Sequence, residues 1–555
     1  MTLRYLIPVI LLVAGMATRI SAQEKQFRVR IPVSQKKSLS ALPVKFYRED
    51  LKNDSLDLVL TEDEYKLFNQ QYSGLKLLPA APQLDTSDMA GSLAEALTFT
   101  KYPTYAQYDS MMHYFTATYP AICSIDTFGT SLNGKLLLAV KISDNVDEEE
   151  DEPAFLYSST MHGDELVGYV LCLRLIDFIL TNYGSNVEID RIVDDVEIWI
   201  NPLSNPDYTY YSSDNSVVGS TRPYYPNDYY DLNRGFPDPG SGDPNDTAGI
   251  YMENQYMMLF MMEHRFNMSA NMHSGAEVVN YPWDHKYARH PDDDWYILIS
   301  REYADEAQAV NPSYMGLFTD GITNGADWYV IEGGRQDYVN YYLHGREVTL
   351  ELSNTKKVES ENLETYWNYN QWSLINMISQ ARYGIHGKVT NNFNGNPVAA
   401  KIWVMDHDND SSWVDSDTVY GSFYRYLKEG VYDLAVSAKG FVPDTVWGVE
   451  VFDYQKTSLE VSLDSLGTNI LTKYASPVLN VYPNPARNQL RIKTSVPFSN
   501  GTILILADLS GRTVIRTMPP AGTFSIILDV SALQSGVYLL QRSGDSYGGA
   551  KVIIR

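Results

Sequence analysis

Cysteine is nearly absent. Two among 555 residues, Cys123 and Cys172, give no disulfide framework. Both lie in apolar runs, Pro120-Ala-Ile-Cys123 and Val170-Leu-Cys172-Leu, which favours small buried hydrophobes over a redox pair and leaves a single bridge open. Basic residues are also scarce: 43 Lys+Arg stand against 69 Asp+Glu, for a formal charge of -26. Phosphate binding needs a cationic face and none is visible, so a nucleic-acid partner is excluded. An acidic surface suits cationic substrates, although most such surfaces only confer solubility. After the N-terminal segment no apolar stretch approaches ~18 residues, so no membrane span is expected. There is no internal repeat of solenoid period.

What is present is ordinary for a globular chain of three or four domains, with 44% hydrophobic and 20% charged residues. Residues 1–22 carry Arg4, an apolar stretch from Leu6 to Ala14 and a small-residue end at Ser21-Ala22, which reads as a cleaved secretory signal. Residues 23–97 contain alternating runs (Gln26 to Pro32, Leu56 to Leu60) and a Pro/Ala-rich exit from Leu78 to Pro82, as expected of a propeptide or small N-terminal domain. From 98 to 383 strand-like runs alternate with helical patterns, the signature of an α/β domain with a mixed sheet flanked by helices. From 384 to 465 the pattern changes to short alternating strands, and 475–555 is again all-β, which predicts two small β-sandwiches. Residues 476–555 hold eight Lys+Arg and three Asp+Glu, a net of +5 that leaves -31 for the rest and marks a separate module.

The chemistry centres on His162 and Glu165 in Met-His-Gly-Asp-Glu, between the apolar run Ala154 to Tyr157 and a helical pattern from Glu165 to Tyr183. Spacing i, i+3 on the first turn of a helix brings an imidazole and a carboxylate to one face, within reach of one tetrahedral metal. A satisfied surface histidine at a helix start is the competing reading. The chain supplies a control, because His344-Gly-Arg-Glu347 is also H-x-x-E. That copy runs into the alternation Val348-Thr-Leu350 and reads as a strand, where residues three apart point to opposite faces. His273, 108 residues after Glu165 at the end of a strand-like run, is a candidate third ligand. Glu351 sits inside an apolar strand, where an isolated carboxylate is costly to bury unless paired or functional.

In this order, His162-Gly-Asp-Glu165, Asp231-Leu-Asn-Arg-Gly-Phe-Pro237, His273-Ser-Gly, Gly333-Gly-Arg-Gln-Asp337 and Thr349-Leu-Glu-Leu-Ser353 resemble the zinc metallocarboxypeptidases. The resemblance is to the subfamily with a transthyretin-like sandwich behind the catalytic domain, and it runs from about Lys101 to Leu463. It implies one Zn2+ held by His162, Glu165 and His273, with a fourth position open, and Glu351 as general base. It further implies Arg222 as oxyanion stabiliser, Asn233 and Arg234 as holders of the substrate's C-terminal carboxylate, and Tyr329 as a closing tyrosine. The stretch Pro223 to Tyr230 is about two residues longer than the family pattern. Asp284, with Gln336 beside it, stands where the subfamily pairs a basic C-terminal side chain. Arg335 replaces the usual methionine, a cation that would weaken that preference.

Ile385-His-Gly-Lys-Val389, Gly395-Asn-Pro-Val398 and Gly430-Val-Tyr432 resemble the transthyretin-like module. Val481-Tyr-Pro-Asn-Pro485, Gly511 and Gly536-Val-Tyr538 resemble the sorting domain of the type IX secretion system, which implies export in a Gram-negative bacterium, to the medium or the cell surface. H-E-x-x-H is missing, which separates the chain from zincin endopeptidases. Gly544-Asp-Ser-Tyr-Gly548 matches a nucleophile elbow but sits in an all-β tail and reads as a hairpin turn. The expected partners are peptide or protein C-termini and the secretion machinery. Two alternatives stay open: the same zinc chemistry on cell-wall peptides or acyl-amino acids, and an inactive peptide-binding relative.

Overall fold

The computed structural model describes residues 84–222, 231–466 and 479–555 except 495–496, 499–500 and 544–549, with short stretches before residue 84. The signal segment, the 78–82 exit, the stretch 223–230 and the Gly544 turn lie outside the described residues. Two compact units result, residues 1–81 and 82–555. In the first, Gln26–Pro32, Phe46–Asp50, Ser55–Thr61 and Lys76–Leu77 form a four-stranded antiparallel sheet. The expected N-terminal segment, extending to 97, is therefore too long. Leu84, Ala90 and Ala96 are buried in the main core of the second unit, and Ala90 N donates to Tyr102 O at 2.9 Å.

The α/β region is built on eight strands: β1 (Cys123–Thr130), β2 (Leu136–Ile142), β3 (Ala154–Ser159), β4 (Glu197–Asn201), β5 (Met268–His273), β6 (Ala276–Tyr281), β7 (Ile322–Asn324) and β8 (Arg346–Ser353). Their order is β7-β6-β8-β5-β3-β4-β2-β1. The run β8-β5-β3-β4 is parallel throughout, and antiparallel pairing begins on either side of it. A strand covered on both faces loses polar alternation, and β3 is buried at every position. Period two still sorts its side chains: Phe155 and Tyr157 enter one core, Ala154 and Leu156 the other.

The helices are α1 (Tyr105–Thr118), α2 (Val167–Asn182), α3 (Val187–Asp195), α4 (Met252–His264), α5 (Asp293–Val310), α6 (Arg335–Tyr342) and α7 (Leu363–Ser379). Helices α1, α2, α3, α5 and α7 share one core with the sheet, while α4 and α6 cover the other face. Thr104 and Gln107 form a capping box that starts α1. In an open sheet of this kind the crevice beyond the carboxyl ends of the parallel strands is where ligands bind, and β3, β5 and β8 deliver their last residues there.

Two sandwiches follow. Gly384–Asn391, Ser422–Arg425 and Lys456–Leu463 form one sheet, and Lys401–Val404, Val414–Asp415, Gly430–Ser437 and Asp444–Val451 the other, around a shared apolar core. Seven more strands between Asn480 and Ile554 pair as sheets of three and four around a separate core. Cys123 and Cys172 are both buried and unbonded. Among the described residues no single helix is long and apolar enough to cross a membrane.

Candidate active site

His162 and Glu165 do not occupy the first turn of a helix. Helix α2 starts at Val167, and the pair sits in the turn before it, closed by Glu165 N donating to His162 O at 3.1 Å. The turn still does what the spacing demanded. His162 Nδ1 lies 3.0 Å from Glu165 Oε1, and His273 Nδ1 lies 2.8 Å from Glu165 Oε2 and 3.2 Å from His162 Nδ1. All three side chains are buried. Gly163 is required here, because a Cβ would fall 2.4 Å from the Tyr208 backbone carbon.

Neighbouring groups set the tautomers. His162 Nε2 meets Asp231 Oδ1 at 2.7 Å; a proton there leaves the Nδ1 lone pair facing inward. Burial opposes the charge on Asp231, but His162, Arg222 and Arg234 together hold its pKa below the ordinary carboxylate range. His273 Nε2 lies 2.8 Å from Asn271 Nδ2, while Asn271 Oδ1 is buried without a partner. Turning that amide gives the oxygen a proton to accept from Nε2 and again points Nδ1 inward. Burial pushes the His273 pKa down to about 4, so the ring is neutral and its lone pair available. Burial also disfavours charge on Glu165, yet His162 and Lys356, whose Nζ donates at 2.8 Å, keep it ionised.

Glu351 reaches this cluster through sheet register. On the parallel pair β5/β8 it lies directly opposite His273, so both leave the sheet at the same end. Its Oε2 is buried with no hydrogen-bond partner. Burial and the neighbouring Glu165 charge push its pKa up to about 8. This carboxylate is held close to a proton-exchange equilibrium and is not spent on structure.

Arg222 points at the same cluster, with Nη2 2.9 Å from His162 Nε2 and in contact with Asp231 Oδ2. Asn233 and Arg234 occupy the short 3-10 turn Leu232–Arg234 that Asp231 caps. Asn233 Oδ1 accepts from Arg335 N at 2.9 Å, and Arg234 Nη1 donates to Asn233 O at 2.7 Å. Tyr329 ends the short helix Gly325–Trp328 and is half exposed.

Asp284 is no solvated surface aspartate. It is 3% exposed, and its Oδ1 accepts from Asn280 Nδ2 at 3.1 Å and from Gln336 Nε2 at 3.0 Å. A Cβ on Gly325 would lie 1.6 Å from that oxygen, so only glycine permits this approach. Burial and the charge of Asp337 push the Asp284 pKa well up. Arg335 does not enter this pocket, contrary to the expectation that its cation would weaken the preference. It is fully buried, donating to Glu347 at 2.8 and 3.1 Å and to Ser158 Oγ at 2.5 Å.

Comparison with known proteins settles the family. Carboxypeptidase SOL1 of Arabidopsis thaliana is 33% identical over 356 residues, covering 62% of this chain and 70% of that one. The chain belongs to the zinc carboxypeptidases. The family's model, described as zinc carboxypeptidase, matches residues 108–373, and a secretion system C-terminal sorting domain matches 480–555. Carboxypeptidase D of Anas platyrhynchos is 30% identical over 467 residues, 78% of this chain but 32% of that longer protein. The crystal structure of thrombin activatable fibrinolysis inhibitor shares the fold at 15% identity, with a TM-score of 0.54 over 64% of this chain and 98% of that one.

Zinc is this family's metal, and the donor set of the carboxypeptidase fits it. With bonds of 2.0–2.1 Å, tetrahedral ligands stand roughly 3.3 Å apart. The two histidine Nδ1 atoms lie 3.2 Å apart, and each lies 2.8 or 3.0 Å from one of the two Glu165 oxygens. Two bare imidazole nitrogens this close repel unless a cation lies between them.

Several residues of the site had no role assigned from sequence. Asp231 orients His162, and its signal was its place beside Asn233 and Arg234 in one motif. Asp337 accepts the backbone N–H of Asp284 at 3.0 Å and of His285 at 2.8 Å, and meets His285 Nδ1 at 2.7 Å. Lys356 and Asn271 carried no signal, because an ordinary lysine or asparagine becomes meaningful only through what it touches.

Proposed function

We propose that this protein is a secreted exopeptidase that removes C-terminal Lys or Arg from peptides and proteins. The observation that carries the substrate reading is the buried, uncompensated acid at Asp284. A carboxylate 3% exposed, with amide donors on one oxygen and a second acid, Asp337, behind it, gains most from an incoming cation. The Arg335 cation, neutralised by Glu347, leaves that preference intact.

His162, Glu165 and His273 would hold the zinc, which when bound supplies Lewis acidity to the scissile carbonyl and acidifies the attacking water. Glu351 takes the proton from that water at its unpartnered oxygen and delivers it to the leaving amine nitrogen. Arg222 stabilises the developing oxyanion with a fixed charge. Asn233 and Arg234 grip the terminal carboxylate, which restricts cleavage to the last residue. Tyr329, exposed at the end of a short helix, swings over the bound residue and excludes water. Gln336 steadies Asp284 against the substrate side chain.

We also assign residues 1–22 as a signal peptide, 384–465 as the transthyretin-like module, and the terminal domain as the address for release or surface attachment in a Gram-negative bacterium. The test is turnover of blocked dipeptides ending in Arg, Lys, Phe or Leu, with and without chelator. Turnover undiminished by chelator would sink the metal assignment. Equal or faster cleavage of Phe and Leu would sink the Asp284 assignment alone.

A further inference from the structure

The loop that carries Asp284 is anchored at its far end by the following β-sandwich. Asp292, eight residues on, precedes α5 but makes no capping bond to it. Its carboxylate, 2% exposed, instead receives Arg425 of the sandwich through two N–H groups, at 2.8 Å to each oxygen. His407, also of the sandwich, lies 2.8 Å from Oδ1, and Arg346 of β8 donates to Oδ2 at 2.9 Å. Asp408 meets Arg425 at 2.6 Å, so the cluster is charge-paired on both sides of the domain boundary.

Two routes lead from this cluster to the side-chain pocket. Along the loop, Asp292 N donates to His290 Nδ1 at 3.0 Å, and His290 packs on the fully buried Trp283, ring centroids 4.8 Å apart, immediately before Asp284. Along the sheet, Arg346 is followed by Glu347, which holds Arg335, the neighbour of Gln336. Asn340 ties the same pieces together by donating to Gln336 O at 2.8 Å and Glu347 O at 3.0 Å.

We propose that Arg425 and His407 of the sandwich are positioning residues for the specificity pocket: by fixing Asp292 they set where the Asp284 carboxylate stands. This rests on the basic-residue reading of Asp284. The sandwich thus contributes, through Asp292, to which side chain is accepted.

The experiment uses the full zinc-loaded chain and the variants His407→Ala, His407→Gln and Arg425→Lys. KM and kcat are measured on peptides ending in Arg and in Leu, with amide hydrogen exchange across residues 282–292. His407→Ala keeps the Arg425–Asp292 pair, so the fold survives. It should raise KM for the Arg peptide about tenfold while kcat and the Leu peptide stay near wild type, since small displacements of a binding group are costly. Exchange of the Asp284 and His285 amides should quicken. His407→Gln, which retains a donor, should stay close to wild type, and Arg425→Lys should behave like His407→Ala. Unchanged exchange at those amides, or a KM rise shared equally by both peptides, overturns the proposal. A wild-type enzyme that does not prefer Arg refutes the basic-residue reading instead, and exchange then decides the positioning role alone.

Discussion

Two segments of this chain carry the same four-residue pattern, His162-Gly-Asp-Glu165 and His344-Gly-Arg-Glu347, and the fold uses them oppositely. In the first, a turn aims both side chains at a third, distant histidine, and their donor atoms converge on one point although Lys356 also pairs with a Glu165 oxygen. In the second, His344 stands before β8 with a positive φ of 56° and meets Ser411 O at 2.8 Å. Glu347, inside the strand, is fully buried against Arg335. A motif therefore acquires chemistry only when its donors converge on one point with a partner ligand from elsewhere in the chain. The second copy is consumed by structure.

The largest contrast should come from paired histidine variants. His162→Ala should abolish zinc binding, measured as bound metal per chain, and with it activity, whereas His344→Ala should keep one zinc and near-normal turnover. An equal loss in both would erase the distinction.

The glutamates of β8 extend the same comparison. Glu351→Gln should lower kcat by about 10²- to 10⁴-fold with zinc retained, as for loss of a general base. Glu347→Gln should instead cost roughly 3–5 kcal/mol of stability by stranding the buried Arg335, seen as a drop in denaturation midpoint. Asp231→Asn, which disturbs the His162 tautomer, should weaken zinc affinity or turnover by about 10- to 100-fold.

A smaller effect concerns pH. The Asp284 pKa is raised, so the group is protonated and neutral below that value and charged above it. The ratio of kcat/KM for Arg over Leu should then fall as pH drops through the raised pKa. Using the ratio cancels the titration of Glu351, which both substrates share. Gly325→Ala, by crowding Asp284 Oδ1, should lower the same ratio at every pH without altering bound zinc.

The apolar run from Ala154 to Tyr157 and the helical pattern that follows it emerge as β3 and α2 because period and burial are local properties of the chain. Boundaries were less legible. The metal pair fell in a turn because α2 begins two residues later than its apolar pattern, and residues 84–96 joined the main core through side chains whose partners lie far along the chain. Glu347 and Glu351 lie on the same face of one apolar strand and break the same burial rule. Nothing local separates them.

By itself, then, the sequence determined the order of domains, the donor types, and the chemistry a zinc site with an extra carboxylate implies, since these follow from residue identity and short-range spacing. Only tertiary structure decided which carboxylate was spent and which was left unpartnered. That outcome depends on where Arg335 comes to rest and on a strand register that sets Glu351 opposite His273, and both are fixed by contacts between segments far apart in the chain.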